Sequence, residues 1–375
     1  TQRNTILTRY NFKRQRCKSS RICTKEQKQC YSISTYQGVF QNINHNTLII
    51  MPFLSIIIPC YNVEDYLPHT LESLSQLTCS DECEYIFVND GSTDSTLSLI
   101  HSFAQEHTQA KVINQPNQGV SAARNAALEI AIGQYVLCLD GDDFLHPNTI
   151  SIIKKHLQHA DALLAPCIIV ENNKPSRTQP ILIAEGLYTI EQLYKTCDVF
   201  PTAPQIIYKN SIIRDWNVRF DTQIKSGEVY TFSVDFFNHA NTITICHEGF
   251  YNYVMRSSSA THKPNYIADL TILNMLVHFR EVEQPWKESI SFQLTAIKMV
   301  LSFTYNKYIK NNLSDKDTIR VIEKVFNDRR FIMLLKSIPT EQIDFKHRFY
   351  INFLKTLPPI LGYKICLFAT HILKL

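Results

Sequence analysis

Apolar positions follow two rhythms along the chain. Between Phe53 and about Ile153, short continuous β-rich runs alternate with segments whose apolar residues recur every three or four positions, a pattern that predicts strands alternating with helices. Residues 54–58 read as a buried first strand. Leu67, Leu71 and Leu74 read as the face of a helix, with Asn62 as its cap and Pro68 in its opening turns. Residues 85–88, 111–113 and 135–139 read as further strands, and 96–104 and 120–132 as helices, the latter stopped by Gly133. Such alternation implies an α/β fold with a mostly parallel sheet and right-handed crossovers. A helix over 149–157 and one apolar strand over 162–170 follow, then short helices and strands to about Val254. From about Tyr266 the spacing is helical throughout: 266–282, 286–309, 317–336 and a final stretch near 360–373.

The expected organisation is therefore an extension over 1–50, an α/β domain over 51–260 and a helical region over 261–375. Residues 1–50 are polar, basic and aperiodic, with nothing to build a core, and read as disordered or adventitious. Met51 stands directly before the first strand. The hypothesis that the native product begins there would be overturned by finding peptides from before Met51.

Composition narrows the function classes. A net charge of +4, 19% charged residues and no basic stripe interleaved with aromatics leave no nucleic-acid partner to expect. Eleven cysteines are scattered through a chain too large to need disulfides, and Cys60, Cys138 and Cys246 sit in apolar runs as small buried hydrophobes. A reduced cytoplasm is the expected setting. Cys79 and Cys83 have a spacing that could seed a metal site, but no second Cys/His pair follows at zinc-finger distance. No run reaches the ~18 apolar residues of a membrane span, and 48–58 is short and broken by Pro52.

Candidate chemistry lies where the strands end, because loops and helix N-termini there face one crevice. Pro59-Cys60-Tyr61-Asn62 follows the first strand, Asn89-Asp90-Gly91-Ser92-Thr93-Asp94 the second, and Asn117-Gln118-Gly119 the third. Asp140-Gly141-Asp142-Asp143 follows the strand over 135–139. Three carboxylates so close repel unless a cation or donor relieves them. Mg²⁺ or Mn²⁺, bound by one or two carboxylates and by substrate phosphates, is one relief. A solvated acidic turn is the other reading.

Taken in order with Val120-Ser121-Ala122-Ala123-Arg124-Asn125, these segments resemble the successive signatures of family 2 glycosyltransferases with a GT-A fold, of the bacterial capsular, O-antigen and exopolysaccharide type. The likeness covers about a hundred residues. It implies an inverting transfer of a hexosyl or N-acetylhexosaminyl group from a nucleotide-diphosphate sugar, UDP-linked by preference, to a glycan or lipid-linked acceptor. The donor would bind on 51–153 and the acceptor on 154–260. Pro59, Tyr61 and Glu64 would lie beside the nucleotide and Asp90 would bond its base, although Asp90 also reads as a turn cap. Arg124 and Asn125 would lie near the donor, or on the surface. Asp140 and Asp142 match the DXD pattern: Asp142 as metal ligand, Asp140 near ribose and metal, Asp143 supporting the sugar.

Inversion also needs a carboxylate to take the acceptor proton. Where the family places a Glu-Asp pair, this chain has Gly227-Glu228-Val229-Tyr230, so Glu228 is the candidate base and Asp235 the fallback. Glu228 also reads as a residue favoured at a helix N-terminus. Residues 204–213 resemble the segment preceding the base, and 251–259 a Tyr-rich strand followed by Arg256, which would reach the diphosphate. The apolar end from Leu357, with Lys364 and Lys374, reads either as ordinary packing or as peripheral contact with the inner face of the cell membrane. A non-catalytic sugar-nucleotide-binding protein stays open because of Val229. A nucleotidyltransferase would instead show a Gly-rich basic first loop.

Overall fold

The computed structural model describes residues 51–171, 174–179, 181, 183–196, 206–256, 270–304, 316–343 and 345–356. Outside them lie the extension over 1–50, Pro204, Gln205 and Ser257 to Ser259, the first turn of the helix expected from Tyr266, residues 305–309, and the apolar tail from Leu357 with the helix expected near 360–373.

The strands are β1 (Leu54–Cys60), β2 (Cys83–Asp90), β3 (Ala110–Gln115), β4 (Tyr135–Cys138), β5 (Phe144–Leu145), β6 (Ala162–Leu164), β7 (Cys167–Glu171), β8 (Lys174–Thr178), β9 (Gly186–Thr189), β10 (Ile206–Lys209), β11 (Thr242–Ile245) and β12 (Tyr251–Val254). A large sheet runs β3-β2-β1-β4-β10-β6-β11-β9, and a smaller one β5-β12-β7-β8. In the large sheet β3, β2, β1 and β4 are mutually parallel, β6 and β11 are parallel to each other, and β10 and β9 run against their neighbours. Strands covered on both faces have no reason to alternate. Thus Ile57, Ile86 and Val88 pack with Ala123 and Ala127 on one side, while Leu54, Ile56 and Ile58 pack with Leu67, Leu71 and Ile100 on the other.

The helices are α1 (Leu67–Ser75), α2 (Thr96–Glu106), α3 (Val120–Ile130), α4 (Thr149–Leu157), α5 (Ile190–Thr196), α6 (Asn210–Asp215), α7 (Glu228–Phe237), α8 (Met275–Glu281), α9 (Ile290–Thr304), α10 (Lys316–Asn327), α11 (Arg329–Ser337) and α12 (Phe345–Thr356). Among the described residues, no helix is long and apolar enough to cross a membrane.

Several expectations need correction. The strand expected over 162–170 is two strands in different sheets, parted at Pro166, which has no N–H for a ladder. Asn62 does not cap α1, whose N-cap is Tyr66 with Pro68 just inside. Asn62 instead has φ +50° and accepts the N–H of Thr93. Helix α3 stops at Ile130, because the chain must swing in beside Ser55: Glu84 Oε1 accepts the N–H groups of Ile132 and Gly133, and a Cβ on Gly133 would lie 2.6 Å from Ser55 N. The helix expected over 317–336 breaks at extended Asp328, whose carboxylate caps α11. Helices α8 and α9 are each preceded by a 3₁₀ turn, Leu270–Asn274 and Pro285–Glu288. Helix α12 was not expected.

Candidate active site

The loops after β1 and β2 are sewn together by side chains. Glu64 N–H donates to Asp94 Oδ2 at 3.1 Å, and Ser95 N–H donates to Glu64 Oε2 at 2.7 Å. Asn62 N–H donates to Ser92 Oγ, and Val63 N–H to Thr96 Oγ1. Gly91, at φ +74°, allows the turn: a Cβ there would lie 2.6 Å from Asn117 N. Pro59 lies partly exposed at the end of β1, and Tyr61 is half exposed beside it.

Asp90 is buried at the end of β2. Its carboxylate accepts the N–H groups of Gln118 (3.0 Å) and Gly119 (2.8 Å) and the Gln115 amide (2.7 Å). It therefore shapes the loop leading into α3, as the turn-cap reading required. Asn125 and Phe220 exchange two hydrogen bonds of 2.8 Å, amide to backbone in both directions. This pins Phe220 where its ring lies 5.2 Å from the Arg124 guanidinium carbon and stacks on Phe232.

Arg124, almost fully buried, is the centre of the site. Nη2 donates to Asp140 Oδ1 at 2.8 Å and Nη1 to Glu228 Oε1 at 3.0 Å. Burial works against its charge, but Asp140 and Glu228 outweigh burial and hold its pKa above the ordinary value. Glu228 opens α7, after Gly227 in the left-handed region at φ +87°. Val229, where a partner carboxylate was expected, packs against the core. The fallback, Asp235, is engaged elsewhere, its Oδ2 lying 2.9 Å from His278 Nδ1.

Asp140, Asp142 and Asp143 each bring a carboxylate oxygen within 4.8 Å of the others. Asp143 is buried; its Oδ2 accepts from the Tyr251 hydroxyl at 2.7 Å and its Oδ1 from Val254 N–H at 2.8 Å. Burial, then the charge of Asp140, push its carboxyl up to about 8 against those donors. Three crowded carboxylates, with no nitrogen or sulfur donor among them, fit a hard divalent cation. Asp142 pairs with Arg256, whose guanidinium lies 4.3 Å above the Tyr66 ring and whose Nε has no partner among the described residues. Sequence reasoning missed Tyr66 and Phe220, which carry no charge, and left Tyr251 inside a general aromatic pattern. Its period-two spacing with Tyr253, which puts both rings on one face of β12, was the available signal.

Residues 55–215 match the family described as glycosyl transferase family 2. The uncharacterized glycosyltransferase EpsJ of Bacillus subtilis (strain 168) is 29% identical over 224 residues, which is 57% of this chain and 64% of EpsJ. The chain thus spans less than two thirds of that relative. The structure of Staphylococcus aureus TarS 1-349 in complex with UDP-GlcNAc is similar with a TM-score of 0.64 at 21% identity, over 85% of this chain and 91% of the other. Mannosyltransferase PcManGT from Pyrobaculum calidifontis, in complex with GDP-Man and Mn2+, gives a TM-score of 0.50 at 13% identity over 84% and 87% of the two chains. The fold is thus of the GT-A kind, with a helical C-terminal region. The match to glycosyl transferase family 2 thus covers residues 55–215, the part of the chain that holds Asp90, Arg124 and the acidic turn.

Proposed function

We propose that this protein transfers a hexosyl or N-acetylhexosaminyl group, with inversion, from a nucleotide-diphosphate sugar to a hydroxyl of a glycan or lipid-linked acceptor in cell-surface polysaccharide synthesis. The observation that carries the reading is the bridge made by Arg124. One guanidinium holds Asp140, from the loop after β4, and Glu228, from the start of α7. A diphosphate-side carboxylate and a candidate base are thereby set on one rigid group. The UDP-GlcNAc in the TarS structure supports a UDP-sugar as donor.

Asp142 and Asp140 would hold Mg²⁺ or Mn²⁺, which when bound neutralises charge gathering on the departing diphosphate. Arg256 adds a second positive group beside the same carboxylate. Glu228, with Oε1 held by Arg124, takes the acceptor proton on its other oxygen as the hydroxyl attacks the anomeric carbon from the face opposite the leaving group. Asp143, locked by Tyr251 and Val254, keeps the acidic turn in shape. The buried cysteines Cys60, Cys138 and Cys246 suit a reduced, cytoplasmic setting.

The test is donor turnover by the full chain: Mn²⁺ or Mg²⁺, a panel of UDP-, GDP- and dTDP-sugars, and nucleotide release, beside Asp142→Ala and Glu228→Ala. Metal-dependent release from one donor, lost in both variants, is expected. Donor binding without turnover in the presence of glycan acceptors would move the chain to a non-catalytic role. Binding to no donor would sink the reading.

A further inference from the structure

A second cluster of ligating side chains lies away from the acidic loop. His156 on α4, Glu185 just before β9 and Cys246 just after β11 bring an imidazole nitrogen, a carboxylate oxygen and a thiol sulfur within 4.8 Å of one another. Topology gathers these distant segments. Strands β9 and β11 pair antiparallel, with Ile245 opposite Gly186, so Glu185 and Cys246 flank one end of the pair. Thr244 and Cys246, two residues apart, share a face, and Thr244 Oγ1 bonds to Leu157 O at 3.4 Å, so that face meets α4.

The imidazole lies between two carboxylates, one at each ring nitrogen. His156 Nδ1 lies 3.4 Å from Glu185 Oε1, and Nε2 lies 3.2 Å from Glu248 Oε2. His156 is 9% exposed and Cys246 fully buried. The Cys246 sulfur accepts the N–H of Glu248 at 3.2 Å, a bond that persists and strengthens when the acceptor is a thiolate. An ion-pair cluster would account for the histidine and the two glutamates, and the thiol donates weakly to Glu248 O at 3.5 Å, but neither needs a sulfur within reach of both the imidazole and the Glu185 carboxylate. A hard cation would want oxygen alone. Nitrogen, sulfur and oxygen together match Zn²⁺.

We infer that His156 through Nδ1, Glu185 and Cys246 form a structural Zn²⁺ site completed by solvent, with Glu248 on Nε2 orienting the imidazole. As the Zn–S bond forms, the thiol proton leaves to solvent. The ion, one thiolate and the Glu185 carboxylate then sum to zero, and Glu248 is paired with Lys155, whose Nζ lies 2.9 Å from its Oε2. Solvent takes the remaining position of the tetrahedron, and no chemistry is assigned to the ion. Its effect is mechanical. The chain passes from Glu248 through Phe250, whose carbonyl accepts the N–H of His146, straight into β12, which carries the two groups that hold Asp143. Zinc would thus tie α4, the β9–β11 edge and the lead into β12 to one point.

The test uses the full chain stripped with a chelator and reloaded with Co²⁺, which reports sulfur coordination by thiolate-to-cobalt charge-transfer absorption, followed by displacement with Zn²⁺. One equivalent giving that absorption is expected in the wild type and in Asp142→Ala, which separates it from the acidic-loop cation. Cys246→Ser should lose the absorption, and His156→Gln should bind Zn²⁺ at least about tenfold more weakly and lose the upward shift in Tm that zinc gives the wild type. Absence of the absorption, its persistence in Cys246→Ser, or its loss in Asp142→Ala would overturn the assignment. Should Cys246→Ser not fold, His156→Gln decides, since wild-type zinc affinity in that variant overturns the site on its own.

Discussion

The hydroxyl of Tyr251 donates to Asp143 Oδ2 at 2.7 Å and accepts the backbone N–H of Asp140 at 3.2 Å. One side chain of the smaller sheet therefore fixes both ends of the acidic turn that follows β4 in the larger one. Tyr251→Phe keeps the ring and removes the oxygen, leaving a buried carboxylate oxygen and an N–H without that partner. The expected cost is about 1–3 kcal/mol in urea unfolding, with Mn²⁺ binding weakened as the turn loosens. A variant as stable as the wild type would show that Val254 alone holds Asp143.

Arg124 makes a different demand. Its planar fork gives one nitrogen to Asp140 and another to Glu228, and a lysine ammonium, a point charge on a flexible stem, does not reproduce that span. Arg124→Lys should fold and lose at least about tenfold in nucleotide release, from mispositioning alone. Arg124→Met strands Glu228 in a largely buried place. Its expected destabilisation lies toward the low end of the ~3–5 kcal/mol for breaking a buried pair, because Asp140 is 37% exposed. Wild-type release by both variants would remove Arg124 from the site.

Glu228 and Asp235 are separable by kinetics. They stand seven residues apart on α7, ~10 Å along its axis, and only Glu228 shares Arg124 with the acidic turn. Glu228→Gln should lower turnover about 10²- to 10⁴-fold with donor affinity nearly unchanged, whereas Asp235→Asn should leave turnover within a few-fold. The reverse result, in a steady-state comparison with direct donor titration, would move the base to Asp235.

What could be read from the sequence was whatever neighbours in the chain decide. Strands β1, β2 and β4 announce themselves because both faces are buried, and the donor-side loops because each signature is contiguous. The pairings that make the site are not local. Tyr251 and Asp143 are 108 residues apart and Arg124 and Glu228 104 apart, separations that no periodicity reports. The same holds for element boundaries: Pro166 splits a run of apolar residues between two sheets, and Asp328 turns one long helical pattern into two helices. Cys246 illustrates the limit well, since a buried apolar-looking position says nothing of the histidine and glutamate gathered beside it.

The last prediction concerns pH. His278 lies between two carboxylates, Nδ1 2.9 Å from Asp235 Oδ2 and Nε2 3.3 Å from Asp221 Oδ2, and so joins α8 to α7. Burial disfavours the imidazolium, but the hydrogen bonds and charges of Asp235 and Asp221 outweigh it, and the pKa is raised above the ordinary 6.5. Between the unfolded and folded pKa values the folded state binds more protons than the unfolded one, so stability falls as pH rises through that window. The contribution is complete below about 6.5, the unfolded value, and is lost above the folded value. Partial exposure of all three side chains limits it to about 1 kcal/mol. Urea unfolding of wild type and His278→Gln at pH 5.5 and pH 9 should therefore show a larger gap at the lower pH, and an equal gap at both would mean that the imidazole is not charged in the fold.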